Sequence, residues 1–145
     1  MTVHRFLIVR LGSLGDVIHG IPVAAALRTH FPRARIDWMV DPRYVELLGL
    51  VQGLDARVPV DTRQPAAALA TLRGLREVRY QAAIDLQGLL KSAVLARAAG
   101  AERTLGFPPP YLREPVARRF YTQLVDPGGV PHVVQRNLML LEPLG

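Results

Sequence analysis

The chain reads as a Rossmann-like α/β domain, a parallel sheet with helices on both faces. Three observations predict it. Short apolar runs alternate along the chain with longer segments of helical periodicity. A length of 145 residues suits one domain and is long enough to bury a core. Half of the residues are hydrophobic and 21% are charged, the composition of a globular protein rather than a disordered one. Regular alternation of strand and helix places parallel strands in one sheet with crossover helices above and below it.

The elements follow in order. "FLIVR" (6–10) is the first strand, and a helix runs through "VAAALRTHF" (23–31). "ARIDWMV" (34–40) is the second strand, and Pro42 opens a short helix over "RYVELLGLV" (43–51). "ARVPV" (56–60) is a weaker third strand, because Pro59 lacks a ladder donor and belongs at an edge. "PAAALATLRGLREV" (65–78) is helical, with Leu69, Leu72 and Leu75 on one face and Arg73, Arg76 and Glu77 pointing elsewhere. "AAIDLQ" (82–87) is the fourth strand, followed by a helix over "LLKSAVLARAA" (89–99) with Leu90, Ala93, Val94 and Arg97 at helical spacing. "RTLGF" (103–107) is the fifth strand. "PVARRFYTQLV" (115–125) predicts a helix with Pro115 in its first turn and Val116, Phe120 and Leu124 as its stripe. "FPPPYL" (107–112) and "DPGGVPH" (126–132) are surface loops. "LMLLEPLG" (138–145) is a helix stopped by Pro143, which is expected to be a domain boundary.

The formal charge is +6, supplied almost wholly by arginine; Lys91 is the one lysine. Such a balance fits an anionic partner or surface, and equally a biased genome composition. The basic residues form no dense run and no aromatic-interleaved stripe, which argues against nucleic acid. There is no cysteine, so neither a disulfide framework nor thiol chemistry is available. No apolar stretch approaches a membrane span or a signal-peptide core, and a soluble cytoplasmic protein is expected.

In an open parallel sheet, ligands bind beyond the carboxyl ends of the strands where the winding reverses. A strand order 3-2-1-4-5 would make strands one and four neighbours there. Their following loops are "LGSLGD" (11–16) and "QGLLKS" (87–92), the two chemically unusual loops of the chain. The first lacks the Gly-Lys-Ser/Thr of a P-loop and the three-glycine spacing of a dinucleotide fingerprint. Gly12 and Gly15 would let a ligand approach the backbone. Asp16 is either a helix N-cap or a general base aimed into the crevice, and one role does not exclude the other. An ordinary carboxylate pKa near 3.9 would leave it ionised at neutral pH. His19 reads as a satisfied structural residue.

In the second loop, Lys91 falls in the first turn of its helix, where a cation opposes the dipole. With free backbone N–H groups and Ser92 it would make an anion site; the alternative is a solvated lysine. Asp85, inside an apolar strand, reads as a structural acceptor, and Trp38 as core. No His/Cys/Asp/Glu group has metal-ligand spacing, and no Ser-His-Asp arrangement is visible.

"FLIVRLGSLGDVIHGIPVAAALR", followed in order by "IDWMVD", "YQAAIDLQGLLKSA", "REPVARRFY" and "HVVQRN", resembles the lipopolysaccharide heptosyltransferases of glycosyltransferase family 9, with the nearer likeness to their heptosyltransferase I branch. The resemblance implies a GT-B enzyme of two Rossmann-like domains, this chain being the amino-terminal, acceptor-binding one. The implied reaction moves heptose from ADP-heptose to Kdo on a lipid A precursor, with inversion and with no metal or other cofactor. ADP-heptose would be held by a carboxyl-terminal domain that these 145 residues do not include. By the same likeness Asp16 is the catalytic base, Ser13, Leu14 and Gly15 line its cleft, and Lys91, Arg113 and Arg63 face the anionic acceptor. His132 and Arg136 fall in a recurring family motif. A peripheral contact with the cytoplasmic face of the inner membrane is also implied.

The chain departs from the family in three ways. Gly12 stands where a Ser or Thr is usual, the basic cluster after the third strand is reduced to Arg63, and the length is about half. A different expectation, from the short chain and its two glycine-containing loops, is a stand-alone Rossmann-like module that binds a nucleotide or anionic metabolite without catalysis.

Overall fold

A computed structural model describes residues 3–145. The first strand, β1 (Arg5–Val9), is followed by α1 (Leu14–His30), β2 (Arg35–Val40), a 3-10 turn at Pro42–Tyr44, α2 (Val45–Gly49) and β3 (Ala56–Pro59). Then come α3 (Pro65–Arg76), β4 (Ala82–Asp85), α4 (Leu90–Ala98) and β5 (Arg103–Gly106). Two 3-10 segments, Pro109–Tyr111 and Pro115–Phe120, lead to β6 (Gln123–Leu124), α5 (Val133–Met139) and a last 3-10 turn at Glu142–Leu144. All six strands are parallel in the order β3-β2-β1-β4-β5-β6, which contains the expected order of the first five. β3 is an edge strand, as Pro59 requires.

The period of two along each strand divides the core into two layers. Phe6 and Ile8 of β1, Ile36 and Trp38 of β2 and Ile84 of β4 face one layer, which α1 covers with Val17, Val23, Ala24 and Leu27. Leu7, Val9, Met39 and Ala83 face the other, covered by Leu72 and Leu75 of α3 and by Leu95 and Ala96 of α4. Register keeps large side chains beside one another: Ile8 pairs with Trp38 on one side and with Ile84 on the other. Gly20 of α1 meets Trp38 so closely that a Cβ there would stand 2.9 Å from the indole ring. Trp38 is therefore core, as expected, and its Nε1 donates to the Arg10 carbonyl at 3.1 Å.

Five expectations need correction. α1 starts at Leu14, three residues before an N-cap at Asp16 would have it, and carries Pro22 within it. Its first turn is closed by side-chain bonds described below, and the carbonyl that Pro22 leaves without a donor belongs to Ile18, on the exposed side. The segment over 115–125 is not one helix: it is 3-10 to Phe120 and then pairs as β6 with β5, Leu105 opposite Gln123 and Gly106 opposite Leu124. The open edge of β5 offers a ladder that a lone helix cannot match. The Val116–Leu124 stripe consequently does not form, and both side chains are exposed.

On α3 the buried positions are Ala68, Leu72 and Leu75, while Leu69 faces solvent. On α4 Leu90 and Val94 are exposed, and Ser92, Ala93, Leu95 and Ala96 face inward, because small side chains allow the helix to lie close on the sheet. The last helix comes one turn early, over Val133–Met139, and "EPL" closes the chain as a 3-10 turn.

Candidate functional site

Val9 and Asp85 are register partners at the carboxyl ends of β1 and β4, which brings the two unusual loops side by side. Gln87 fastens them: its Oε1 accepts from the N–H of Leu11 at 2.7 Å and of Gly12 at 3.4 Å. Gly12 lies against the Tyr44 ring, where a Cβ would approach to 3.0 Å. The aromatic ring thus occupies the space that a serine or threonine would need.

Asp16 is not the N-cap. Ser13 takes that place, and Asp16, at the third helical position, reaches back to it. The Asp16 Oδ2 accepts from the Ser13 backbone N–H at 3.2 Å and from the Ser13 hydroxyl at 3.0 Å. The same oxygen lies 2.7 Å from Arg10 Nη2, with 32% of the Asp16 side chain and 11% of the Arg10 side chain exposed. Arg10 Nη1 donates to the Leu86 carbonyl at 2.7 Å, so one guanidinium spans both loops. Its Nε is buried without a hydrogen-bond partner among the described residues. A buried donor left empty costs about 1–3 kcal/mol; the orientation that serves both Nη groups offsets this. Burial pushes the Asp16 carboxyl up, but the Arg10 charge and the Ser13 bonds outweigh it and hold the group below its ordinary pKa. The ordinary value expected from sequence is corrected in this direction, and the group is ionised at neutral pH.

Ser13, Leu14 and Gly15 are exposed on the first turn of α1, and a Cβ at Gly15 would meet nothing within 4 Å. Lys91 is exposed in the first turn of α4. Arg113 is brought to the same rim by Gly88, whose φ of +71° makes a tight turn beneath the Leu112–Arg113 backbone. The Glu114 N–H donates to the Gly88 carbonyl at 3.2 Å, and the Glu114 carboxylate accepts from the Leu90 N–H at 2.9 Å.

The anion site expected from free N–H groups and Ser92 is thus partly taken. The Glu114 carboxylate holds the Leu90 N–H, and the buried Ser92 hydroxyl lies 3.0 Å from Asp85 and 2.9 Å from the Leu89 carbonyl. Asp85 is a structural acceptor, as expected: it also receives the Gln87 N–H at 3.0 Å and the Tyr121 hydroxyl. Burial pushes its carboxyl up, against the hydrogen bonds that hold it down.

Arg63 stands apart from this group. It belongs to "VDTR" at the end of β3, which repeats "VDPR" at the end of β2. In each turn the aspartate accepts from the arginine backbone N–H at 2.9 Å and from its Nε at 3.0–3.1 Å, Asp61 with Arg63 and Asp41 with Arg43. Arg63, 81% exposed, is therefore charge-compensated and separated from β1 by β2. His19 is exposed, and its ring makes no hydrogen bond among the described residues, contrary to the structural role expected. His132 and Arg136 have structural roles: His132 Nδ1 accepts from the Val134 N–H at 3.3 Å as the cap of α5. Arg136 donates to the carbonyls of Val130 and Pro131, both at 3.2 Å. No group of three His, Cys, Asp or Glu among the described residues could hold a metal ion.

Sequence reading missed Arg10, Gln87, Glu114 and Tyr121. The one local signal was Arg10, a charged residue ending a fully apolar strand.

A family model described as glycosyltransferase family 9 (heptosyltransferase) matches residues 68–144. The lipopolysaccharide heptosyltransferase 1 of Pseudomonas aeruginosa is 35% identical over 94% of this chain and 41% of its own length. The Escherichia coli K12 protein of the same name is 30% identical over 92% of this chain and 45% of its own. The solved structure of E. coli heptosyltransferase WaaC with ADP superposes with a TM-score of 0.85 at 29% identity, over 97% of this chain and 48% of that one. The same protein with ADP-2-deoxy-2-fluoro heptose gives 0.87 at 30%. The fold is that of these heptosyltransferase structures over about half of their length. The chain belongs to glycosyltransferase family 9, and it spans less than half the length of these relatives.

Proposed function

We propose that this chain is the acceptor-binding half of an inverting heptosyltransferase of the lipopolysaccharide inner core, with Asp16 as its general base. The observation that carries the reading is the Asp16 carboxylate, a third exposed at the β1/β4 reversal and kept ionised by Arg10 and Ser13. The family's likeness and the ADP-bound WaaC structures support ADP-heptose as donor. In this reading a second domain beyond these residues holds it.

In this reading an acceptor hydroxyl of Kdo attacks the anomeric carbon of heptose from the face opposite the nucleotide. The new C–O bond forms as the bond to the ADP phosphate breaks, the pair of electrons leaves with ADP, and Asp16 takes the hydroxyl proton. A carboxylate held at a low pKa is a weak base toward a free alcohol. It becomes adequate once the oxygen has begun to bond to carbon and has acidified, so proton transfer falls late in the step. Lys91 and Arg113, exposed on the adjoining rim, would hold carboxylate and phosphate groups of the Kdo–lipid A acceptor. Ser13, Leu14 and Gly15 would form the floor beside Asp16. Arg63 would contribute at most to the outer part of the acceptor, since Asp61 already neutralises it. The reaction proposed uses no metal, no other cofactor and no nucleic acid.

No helix among the described residues is long and apolar enough to cross a membrane. We place the protein in the cytoplasm, meeting its lipid-linked acceptor at the membrane surface.

Backbone NMR of the chain titrated separately with a soluble Kdo–lipid A analogue and with ADP tests the reading. Shifts confined to residues 11–16, 87–92 and Arg113 on adding the acceptor are expected, with little response to ADP. Tight ADP binding by this chain alone would instead establish the stand-alone nucleotide module.

A further inference from the structure

Gln87, only 8% exposed, sits where the two loops of the site meet. Its backbone N–H donates to Asp85 Oδ1 at 3.0 Å, and its Oε1 accepts from the N–H groups of Leu11 and Gly12. Two donors converging on one atom fix which end of the amide is which: the carbonyl oxygen faces the first loop, and Nε2 is turned away from it. A glutamine Nε2 carries two N–H donors. Among the described residues nothing accepts from them. Nor is Nε2 sealed in the interior, because the buried side-chain polar atoms without a partner are those of Arg10, Asp37 and Thr104. The small part of Gln87 left open therefore includes Nε2, at the carboxyl ends of β1 and β4.

The carboxylates that could have taken these donors are engaged elsewhere. Asp85 receives the Gln87 N–H and the Tyr121 hydroxyl, Glu114 holds the Leu90 N–H, and Asp16 is paired with Arg10 and Ser13. The charges left over nearby are positive. Arg10 donates to the carbonyl of Leu86, the residue before Gln87, and Lys91 and Arg113 are exposed on the adjoining rim. An oxygen entering beside Nε2 meets donors and cations. That environment suits an oxyanion better than a hydroxyl, which would bring a donor of its own.

We infer that Gln87 Nε2 binds the carboxylate of the acceptor sugar and so selects an acidic acceptor. The inference rests on the reading above, in which the acceptor is Kdo, a sugar acid. Two contacts of opposite demand then orient the sugar: its carboxylate needs donors and goes to Gln87, while the attacking hydroxyl needs an acceptor and goes to Asp16. The Gln87 donor is fixed before the sugar arrives, since its amide is clamped through Oε1 and its backbone through Asp85. A sugar without the carboxylate would leave a buried amide unpaired, and a site built to hydrogen-bond a group discriminates strongly against an analogue that lacks it.

The test uses the 145-residue chain and a soluble Kdo–lipid A analogue, with its Kdo carboxylate free or reduced to an alcohol. NMR follows the side-chain NH2 signals of Gln87 during each titration. The acid should move these signals and bind about ten- to a hundredfold more tightly than the alcohol. Gln87→Glu keeps an oxygen for the Leu11 and Gly12 N–H groups and replaces the donors by a second oxygen. It should bind acid and alcohol within about threefold of each other, with the backbone signals of residues 11–16 unchanged from the parent. The comparison of acid with alcohol in the parent needs no variant, so it decides the matter even if Gln87→Glu does not fold. Equal affinity of the parent for both, or binding of the acid with the Gln87 NH2 signals unmoved, would overturn the inference and leave the acceptor-binding reading standing. So would a folded Gln87→Glu that kept the parent's preference, which would assign the carboxylate to Lys91 and Arg113 alone. A parent that bound neither form would overturn the acceptor-binding reading, and this inference with it.

Discussion

Arg10 Nη2 lies 2.7 Å from Asp16 Oδ2 and joins the last residue before the first loop to the first turn of the helix after it. The pair is nearly buried on the arginine side and open on the aspartate side, so the cation is fixed by the protein while the anion faces the crevice. Asp16 is thereby held below its ordinary pKa, despite a burial that alone would raise it.

A group whose folded pKa is depressed stabilises the fold above its unfolded pKa, and this stabilisation is lost as pH falls through the folded value. The Arg10–Asp16 pair should therefore contribute fully at neutral pH and fade only under acid conditions below the ordinary carboxylate range. Arg10→Met should raise the Asp16 pKa, measured by carbon-detected NMR of the side-chain carboxyl, and should lower stability by about 1–3 kcal/mol in urea unfolding at pH 7. An unmoved Asp16 titration would show that the arginine does not govern it. Arg10→Lys should restore part of the shift, because it keeps the charge and loses the fork that also reaches Leu86.

Asp16→Asn keeps the shape of the carboxylate and one acceptor oxygen for the Ser13 N–H, so the helix start should survive. It removes the counter-charge of Arg10, and we expect a loss of about 1–2 kcal/mol, more than for a simple cap. In a two-domain enzyme built on this half, the turnover number should fall by about a hundred- to ten-thousandfold while acceptor affinity stays near normal. A turnover within about threefold of the parent, less than roughly 1 kcal/mol of barrier, would remove Asp16 from the chemistry.

Lys91→Ala and Arg113→Ala should each weaken acceptor binding by about ten- to a hundredfold, the worth of one charge-assisted hydrogen bond, without unfolding the chain. Arg63→Ala should cost much less, because Asp61 already compensates its charge. Calorimetric titration with a Kdo–lipid A analogue separates the cases. Equal losses in all three variants would mean that the acceptor displaces Asp61 and uses the outer loop after all.

Tyr121→Phe deletes the hydroxyl that donates to the buried Asp85. Asp85 keeps Gln87 and Ser92 but loses one donor at a fully buried carboxylate, which should destabilise the fold by about 1–3 kcal/mol. The Asp85 carboxyl should rise further, since the hydrogen bonds oppose its desolvation. Thermal unfolding across pH would show the deficit largest where Asp85 must ionise. Gly106→Ala should cause a related loss by a different route, because a Cβ there would overlap the Tyr121 ring.

Much of this molecule was written locally. β1 to β5 were legible because each is a short apolar run between turn residues, and the edge position of β3 followed from Pro59 alone. The two loops of the site were legible because the order of five strands and the rule for winding reversal point to them before any coordinate is known. The family motifs singled out Asp16, Lys91 and Arg113 as residues, though not their surroundings. Tertiary structure decided what depends on which surfaces meet. The segment after Phe120 became a strand because β5 had an open edge. Leu69 turned outward because the sheet accepted the α3 face of Ala68, Leu72 and Leu75, and Leu90 and Val94 because it accepted the mostly small face of α4. Glu114, 24 positions along the chain from Leu90, took one of the N–H groups of α4 that had looked free to bind an anion. Arg10 was one arginine among 17 in the sequence, and only the parallel pairing of β1 with β4 placed the Leu86 carbonyl where it could aim the guanidinium at Asp16. Periodicity records which residues prefer burial, but the partner of a buried charge is set by three-dimensional closure, and no local pattern encodes that.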